Sequence, residues 1–532
     1  MKLDYKKVFY VGLAFFLISL FWQTYDSIIT KILIDKFGLN QTWSGVVMAM
    51  DNVLAVFMLP LFGHLSDKTN SKRGRRTPYI IVGTIVAAFA FIALSYTDHV
   101  QTLKIEADTS IEVDYQSIQS ADLTITDWNG IIDTMNTERL SAKTDGVIDS
   151  ITYATFKIDV YYPMKTILDS DTTLSATESD LLKDSYYSYL NGRAWELTSH
   201  NPTTFIAFAG LLFIALVSMA TFRSPAVALM PDVVVKPLRS KANAVINLMG
   251  TFGGILSILI LSLFGLSKLS YVNYAPAFVT VGLLMLVLLG LFLWKVNEPK
   301  LVKKREEDDL KYGLTEEKEA EVLHESVEEL SKAKRKSLFL ILSSVFLWFV
   351  GYNAVTTKLS DYAPKVLNLG YATPLLIAQA AALLAFIPIG IIATKIGRKK
   401  TILIGIALLT FCFGSIYFLT VDTAALMYVI FGLTGIGWAT INVNSYPMVV
   451  ELSKGSNVGK YTGYYYTFSM AAQILTPILS GLLMDEFSRK ILFPYATLFV
   501  LLSFFTMLLV KHGDAVVIKK DSVLESFDVD MD

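Results

Sequence analysis

The chain has 532 residues, 53% of them hydrophobic and 17% charged, with a mean hydropathy of +0.49. That balance excludes an ordinary water-soluble globular protein and points to a membrane protein before any motif is read. The net charge of −1 hides an asymmetry: residues 98–202 carry 18 acidic against 7 basic side chains, which leaves the remainder with an excess of ten positive charges. Nucleic acid is not implied as a partner. The single cysteine, Cys412, lies in an apolar run, which excludes an intrachain disulfide and a cysteine metal cluster.

Lys2, Lys6 and Lys7 precede a long apolar run that no small-residue cleavage site ends, so the run reads as a first spanning helix rather than a removable signal. Apolar stretches long enough to cross about 30 Å of hydrocarbon recur near 8–30, 44–64, 79–97, 203–222, 242–266, 275–295, 337–357, 372–393, 401–420, 424–446, 461–484 and 491–511. Twelve spans of an all-α membrane protein are therefore expected. With both termini cytoplasmic, the short inner loops hold the basic clusters Lys68/Lys72/Arg73/Arg75/Arg76, Lys236/Arg239/Lys241, Lys395/Arg398/Lys399/Lys400 and Lys454/Lys460, as the positive-inside tendency requires. The chain then divides into spans 1–3 (1–97), a polar, acidic exterior insertion (98–202), spans 4–6 (203–295), a charged cytoplasmic linker (296–336), spans 7–12 (337–511) and a cytoplasmic tail (512–532). The linker, with Glu316, Glu317 and Lys318 leading into Val322 and Leu323, reads as having an amphipathic helical part.

The two sets of spans repeat. "SPAVALMPDVVVKPLRSKANAVINLMG" aligns with "SYPMVVELSKGSNVGKYTGYYYTFS" at an offset of 219, pairing Asp232 with Glu451 and Lys241 with Lys460. "GRRT" from Gly74 matches "GRKK" from Gly397 at an offset of 323, and the difference of 104 between the two offsets matches the length expected of the insertion to within one residue. Parallel six-helix halves place a binding site near the midplane between them and suggest alternating access by rocking.

On span 1, Ser19, Trp22, Gln23, Asp26 and Thr30 fall on one face of an otherwise apolar helix, and span 2 adds Asp51 beside Asn52. A carboxylate at that depth is costly unless paired, protonated or wetted, which makes Asp26 and Asp51 candidates for cation coupling; a purely structural polar network is the bland alternative. The second half offers Trp348, Tyr352, Asn353 and Thr356 on span 7, Trp438, Asn442 and Ser445 on span 10, and Thr462, Tyr466, Ser469 and Gln473 on span 11. An indole stacked on a sugar ring, with amides and hydroxyls around its edge, is a physically sensible glycoside pocket. On span 5, Asn243, Asn247, Gly250 and Gly254 share a face that reads as close packing. Arg73, Arg75 and Arg76 with Asp67, and Asp232 with Glu451, read as charge-pair gates at the cytoplasmic ends.

The segment "GHLSDKTNSKRGRRTPYI" from Gly63 resembles the loop between helices 2 and 3 of major facilitator proteins. Its "SDK...GRRTPYI" is most similar to sucrose:proton symporters and to glycoside-pentoside-hexuronide:cation symporters. The resemblance implies a cation-coupled sugar importer whose span 1 acid, Asp26, binds sugar. It also implies two cation-binding acids on span 2, but alignment at "GRRTPY" puts Ala55 and Leu59 at those positions and leaves Asp51 one turn earlier, so the sequence leans to a proton rather than sodium. "FRSPAVALMPDV" is similar to the sucrose-carrier pattern around a span 4 arginine; Arg223 lies one turn before that position, now Val227. Trp22, Gln23, Asp26, Asn52, Arg223, Trp348, Tyr352, Asn353, Trp438, Asn442 and Gln473 form the candidate substrate site.

The expected product is a monomeric, multi-pass cell-membrane symporter for a glycoside or oligosaccharide such as sucrose or maltose, with no cofactor or metal. A major facilitator exporter of drugs or metabolites and a nontransporting sugar sensor remain open. The enzyme class is the weakest: there is no Gly-rich phosphate loop, no His pair at metal-ligand spacing and no nucleophile signature among five histidines.

Overall fold

A computed structural model describes residues 3–107, 123–170, 173–235, 238–312, 332–450 and 458–512, together with Tyr115, Ile118 and Leu452. Among these residues there are helices and no strands. Six long helices build the first half: α1 (Tyr5–Lys31, prolonged by a π-helical turn Ile32–Lys36), α2 (Gln41–Lys68), α3 (Thr77–Ala107), α8 (Thr203–Val233), α9 (Arg239–Leu263) and α10 (Ala275–Lys295). The second half comprises α12 (Lys332–Leu367), α13 (Ala372–Ile396), α14 (Arg398–Ile416), α15 (Leu426–Val450), α16 (Val458–Glu486) and α17 (Leu492–Leu508). Eleven of these are long and apolar enough to cross a membrane; for α13 the apolar stretch is the shorter Ala372–Phe386.

Each half has its own hydrophobic core, one built around Phe21, Phe91, Phe278 and Met285, the other around Val345, Trp348, Phe413 and Phe493. The halves meet through α2 with α16, α9 with α13, and α1 with α12. Those first two pairings exchange under the repeat, as two equivalent halves related by a twofold require. The repeated loop glycines keep the same unusual backbone: Gly74 has φ of 102° and Gly397 of 89°, a region where a side chain is strained. Gly45 on α2 and Gly481 on α16 let the two halves touch backbone to backbone, because a Cβ on Gly45 would collide with the Pro477 carbonyl and one on Gly481 with the Gln41 carbonyl.

Several helices run past the ends that hydropathy alone predicts. α1 with its π turn continues to Lys36, α3 to Ala107 and α12 to Leu367. Their last turns carry charges that are buried rather than solvated, including Lys31, Asp35, Lys36, Asp98, Lys358, Asp361 and Lys365.

Much of 98–202 is helical: α4 (Ile125–Thr144), α5 (Ser150–Phe156), a π turn Lys157–Tyr161, α6 (Tyr162–Ser170) and α7 (Ala176–His200). Thr124 with Asp127 and Ser175 with Glu178 form capping boxes that start α4 and α7, and the hydrogen bond from Thr124 lowers the Asp127 carboxyl below its ordinary value. Trp128, Ile132, Met164, Tyr187 and Leu190 close a small core of their own, to which Tyr271 from the loop after α9 contributes. This subdomain sits at the end of the bundle where α1 finishes and α2 begins, called here the insertion end; the opposite end is the linker end. There α11 (Glu298–Lys311) packs on α8, while the remainder of the expected linker, including Glu316, Glu317 and Lys318, lies outside the described residues.

Candidate functional site

The helix faces that meet at mid-bundle carry polar groups in an otherwise apolar interior. Asp26 on α1 and Asp51 on α2 are close enough for their charges to act on one another, and Arg223 on α8 acts on Asp51. Asp51 also accepts a hydrogen bond from Asn52 Nδ2 at 2.8 Å. Tyr25, fully buried, lies near enough to both acids to feel their charges, and its hydroxyl has no hydrogen-bond partner among the described residues. Trp22 packs edge-on against Tyr25 with ring centroids 5.5 Å apart, and its indole Nε1 is likewise buried without a partner there. Next to Trp22 in the chain, Gln23 Oε1 accepts from Gln379 Nε2 of α13 at 2.7 Å, a bond that crosses between the halves beside Gly254.

In the second half, Tyr352 of α12 stacks on Trp438 of α15 with centroids 3.8 Å apart and planes 8° from parallel, and Phe349 meets the same indole edge-on. The pair forms a flat aromatic surface flanked by Asn353, whose buried Nδ2 has no partner among the described residues. Buried donors and acceptors without partners are costly, and a ligand with hydroxyl groups is one way to satisfy them.

At the insertion end a buried charge network joins the halves. Lys365 of α12 donates to Asp35 of the first half at 2.6 Å and to Asp361 of its own helix at 2.5 Å. Asp361 also accepts from Arg489 Nε at 2.9 Å and from Gln41 Nε2 at 2.6 Å. Lys358 donates to the Gln41 carbonyl at 2.7 Å and to Ser44 Oγ at 2.9 Å. Asp485, at the end of α16, accepts the backbone N–H groups of Gln41 and Thr42 at 2.9 and 2.8 Å, so an acid of one half caps the positive N-terminus of α2 in the other. Lys365, Asp35, Asp361 and Arg489 each meet an opposite partner, as charges buried this deeply require, while the Lys358 ammonium is held by the Gln41 and Ser44 oxygens. In this structure the network bridges the two halves at the insertion end.

At the linker end the charges are satisfied inside the first half. Asp232 of α8 accepts from Arg75 Nη2 at 2.8 Å and from Arg76 Nε at 2.8 Å, and Arg76 also pairs with Asp67. Glu298 accepts the backbone N–H groups of Arg75, Arg76 and Thr77, capping α3. A Cβ on Gly74 would collide with this carboxylate.

The structure thus brings Asp26, Asp51 and Arg223 together on one half and Tyr352 and Trp438 on the other. Asn52, Asn442 and Gln473 are half-buried on α2, α15 and α16. Trp348 has no exposed surface and packs in the core of the second half, although its spacing from Tyr352 assigned it to the same face. Arg73 is exposed, and Glu451 lies outside the described residues. Gln379 escaped the sequence reading; its signal is a lone amide in the apolar run "LLIAQAAALLAF". The insertion-end network escaped too, although Lys31/Asp35 and Asp361/Lys365 each have the i, i+4 spacing of a helical ion pair.

The profile of the Major Facilitator Superfamily matches residues 193–445 and 375–522, together more than half of the chain. The chain belongs to the major facilitator superfamily. It is therefore a membrane transporter by family and not an enzyme. A second profile, MFS/sugar transport protein, matches residues 10–102 of this major facilitator chain. A curated relative, sucrose transport protein SUC4 of Arabidopsis thaliana, is 28% identical over 75 residues, a segment covering only 14% of this chain and 14% of the relative. Among solved structures, the partially occluded inward-open xylose transporter XylE of E. coli superposes with a TM-score of 0.55 at 13% identity, over 96% of this chain and 100% of its own. A bacterial homologue of the iron transporter ferroportin gives 0.56 at 12% identity, over 95% and 99%. A D-xylose-proton symporter gives 0.54 at 14%, over 95% and 98%. At these identities the structures establish the fold alone.

Proposed function

We propose that this protein is a proton-coupled importer of a glycoside or oligosaccharide that works by alternating access, with α13 as its twelfth span and the insertion end outside the cell. The carrying observation is the group Asp26, Asp51 and Arg223 at mid-bundle, opposite a half that presents the Tyr352–Trp438 surface. Ionisable residues at membrane depth mark solute or proton paths, and the aromatic plane suits the C–H face of a sugar whose hydroxyls Trp22 Nε1, Asn353 Nδ2 and the glutamines can meet. The sugar-transport profile over residues 10–102 and the short sucrose-transporter match support the same class.

Orientation follows from the linker-end loops, which hold Lys68, Arg73, Arg75, Arg76, Lys395, Arg398 and Lys399. With that end cytoplasmic, the state is inward-facing: the exterior network is closed and the inner arginines are bonded within their own half. A proton needs a single titratable carboxylate, whereas sodium favours several oxygens, and Ala55 and Leu59 supply none where sodium-coupled relatives are expected to have acids.

The test is to compare Asp26→Asn and Asp51→Asn in reconstituted vesicles. One substitution is expected to abolish proton coupling while the other mainly weakens sugar binding. Normal coupled transport by both variants would remove these acids from the mechanism.

A further inference from the structure

The insertion belongs to the first half by chain and by packing. Helix α7 leads into α8 through Asn201 and Pro202, Tyr271 donates its hydroxyl to Asn191 at 3.1 Å, and the insertion's core contains no residue of the second half among the described residues. At Gly38 the turn after α1 comes so close to the backbone of Asn191 and Trp195 that no side chain fits, which fixes α7 against the first half. Yet the same helix reaches the second half through charge. Asp184 accepts from Arg489 Nη1 at 2.8 Å and from the Arg489 backbone N–H at 3.2 Å, and Asp180 pairs with Lys490. The buried ring of Tyr187 lies 5.7 Å from the Arg489 guanidinium and 5.9 Å from the Lys365 ammonium. Arg489 in turn holds Asp361, so α7 is the outermost member of the charge network that shuts this end.

The contact is thin. A cavity of about 770 Å³ separates α7 from the start of α2 and the end of α16, with Trp43, Trp195, Asp485 and Arg489 among its walls. A helix anchored by apolar packing on one half and held to the other by a few ion pairs beside open space can part from the second without unfolding.

We infer that α7 is an exterior strap: Asp180 and Asp184 latch onto Lys490 and Arg489 when the exterior gate closes and let go when the halves rock open, so the insertion biases the carrier toward its inward-facing state. This rests on the alternating-access reading but not on which solute is carried. The strap adds contacts that exist in one state only, and such contacts shift the equilibrium by their full differential strength.

The experiment uses the full chain with Cys412→Ala, which removes the only native thiol, and Ser44→Cys, a position buried between α2 and α12 in the closed gate. Labelling from outside with a membrane-impermeant maleimide reads how often the gate opens and needs no solute, so its outcome is independent of the glycoside assignment. For variants that elute like the parent, Asp180→Asn/Asp184→Asn is expected to raise the labelling rate about tenfold. Lys490→Asp should also raise it, and adding Asp180→Lys should bring it back to within about twofold of the parent by restoring the pair with its charges exchanged. An unchanged rate in the double asparagine variant, or no return on charge exchange, would overturn the strap.

Discussion

Asp361 holds the insertion-end network together, and replacing it with asparagine is expected to open that end of the bundle. The side chain has no exposed surface and accepts from Lys365 at 2.5 Å, Gln41 at 2.6 Å and Arg489 at 2.9 Å. Asparagine keeps the shape but removes the charge that both cations face. Removing one partner of a buried ion pair costs about 3–5 kcal/mol. Lys365 keeps Asp35 and Arg489 keeps Asp184, so the lower figure applies, about 3 kcal/mol or roughly a hundredfold in an equilibrium constant. Only the closed arrangement bears that cost, because parting the halves lets water reach the cations. Spin labels at Leu103 on α3 and Phe418 after α14, both exposed positions, would report the separation across this end in a Cys412→Ala background. Double electron–electron resonance should show a short-distance population in the parent and a predominantly longer one in Asp361→Asn. Identical distributions in a folded variant would refute the idea that this network holds the end shut.

Gly45→Ala places a Cβ against the Pro477 carbonyl across the α2–α16 contact, so the same labels should move apart without any change of charge, and an unaltered distance would show that the halves do not need this approach. Trp438→Ala removes one face of the stacked pair with Tyr352; sugar affinity of the folded variant, read by isothermal titration, should fall about tenfold, given about 0.5–1.5 kcal/mol for an aromatic contact beyond its buried area. Unchanged affinity would move the sugar away from this surface.

The repeat was readable because it rests on spacing: Gly74 and Gly397, matched by sequence offset alone, share a positive φ. The ends of α1, α3 and α12 were not, because hydropathy scores Lys31, Asp35, Lys36, Asp98, Lys358, Asp361 and Lys365 as solvated when they are in fact buried, Lys36 against Asp98 and Lys365 against Asp35 and Asp361. Burial of that kind depends on which helices meet; the i, i+4 spacing of Asp361 and Lys365 marks their pair locally but not its contacts to Asp35, Gln41 and Arg489 across the bundle. The helices of the insertion were hidden for a related reason. Their mean character is polar, and Trp128, Met164, Tyr187 and Leu190 find each other only once the subdomain has folded. Asp26 and Asp51 could be nominated from depth within apolar runs and Arg223 from the resemblance of its segment to the sucrose-carrier pattern, whereas Gln379 pairs with Gln23 across the two halves and gains meaning only from that contact. Trp348 shows the converse: helical spacing put it with Tyr352, but the packing of the second half takes it into the core.

The most direct test of the central claim is to reconstitute the protein in liposomes and record alkalinisation of the external medium on adding a panel of glycosides, with and without sodium. Sugar-dependent proton uptake that ignores sodium is the expected result and would name the substrate. No response to any glycoside from folded protein would contradict the sugar assignment, and uptake that requires sodium would contradict the proton as the coupled ion.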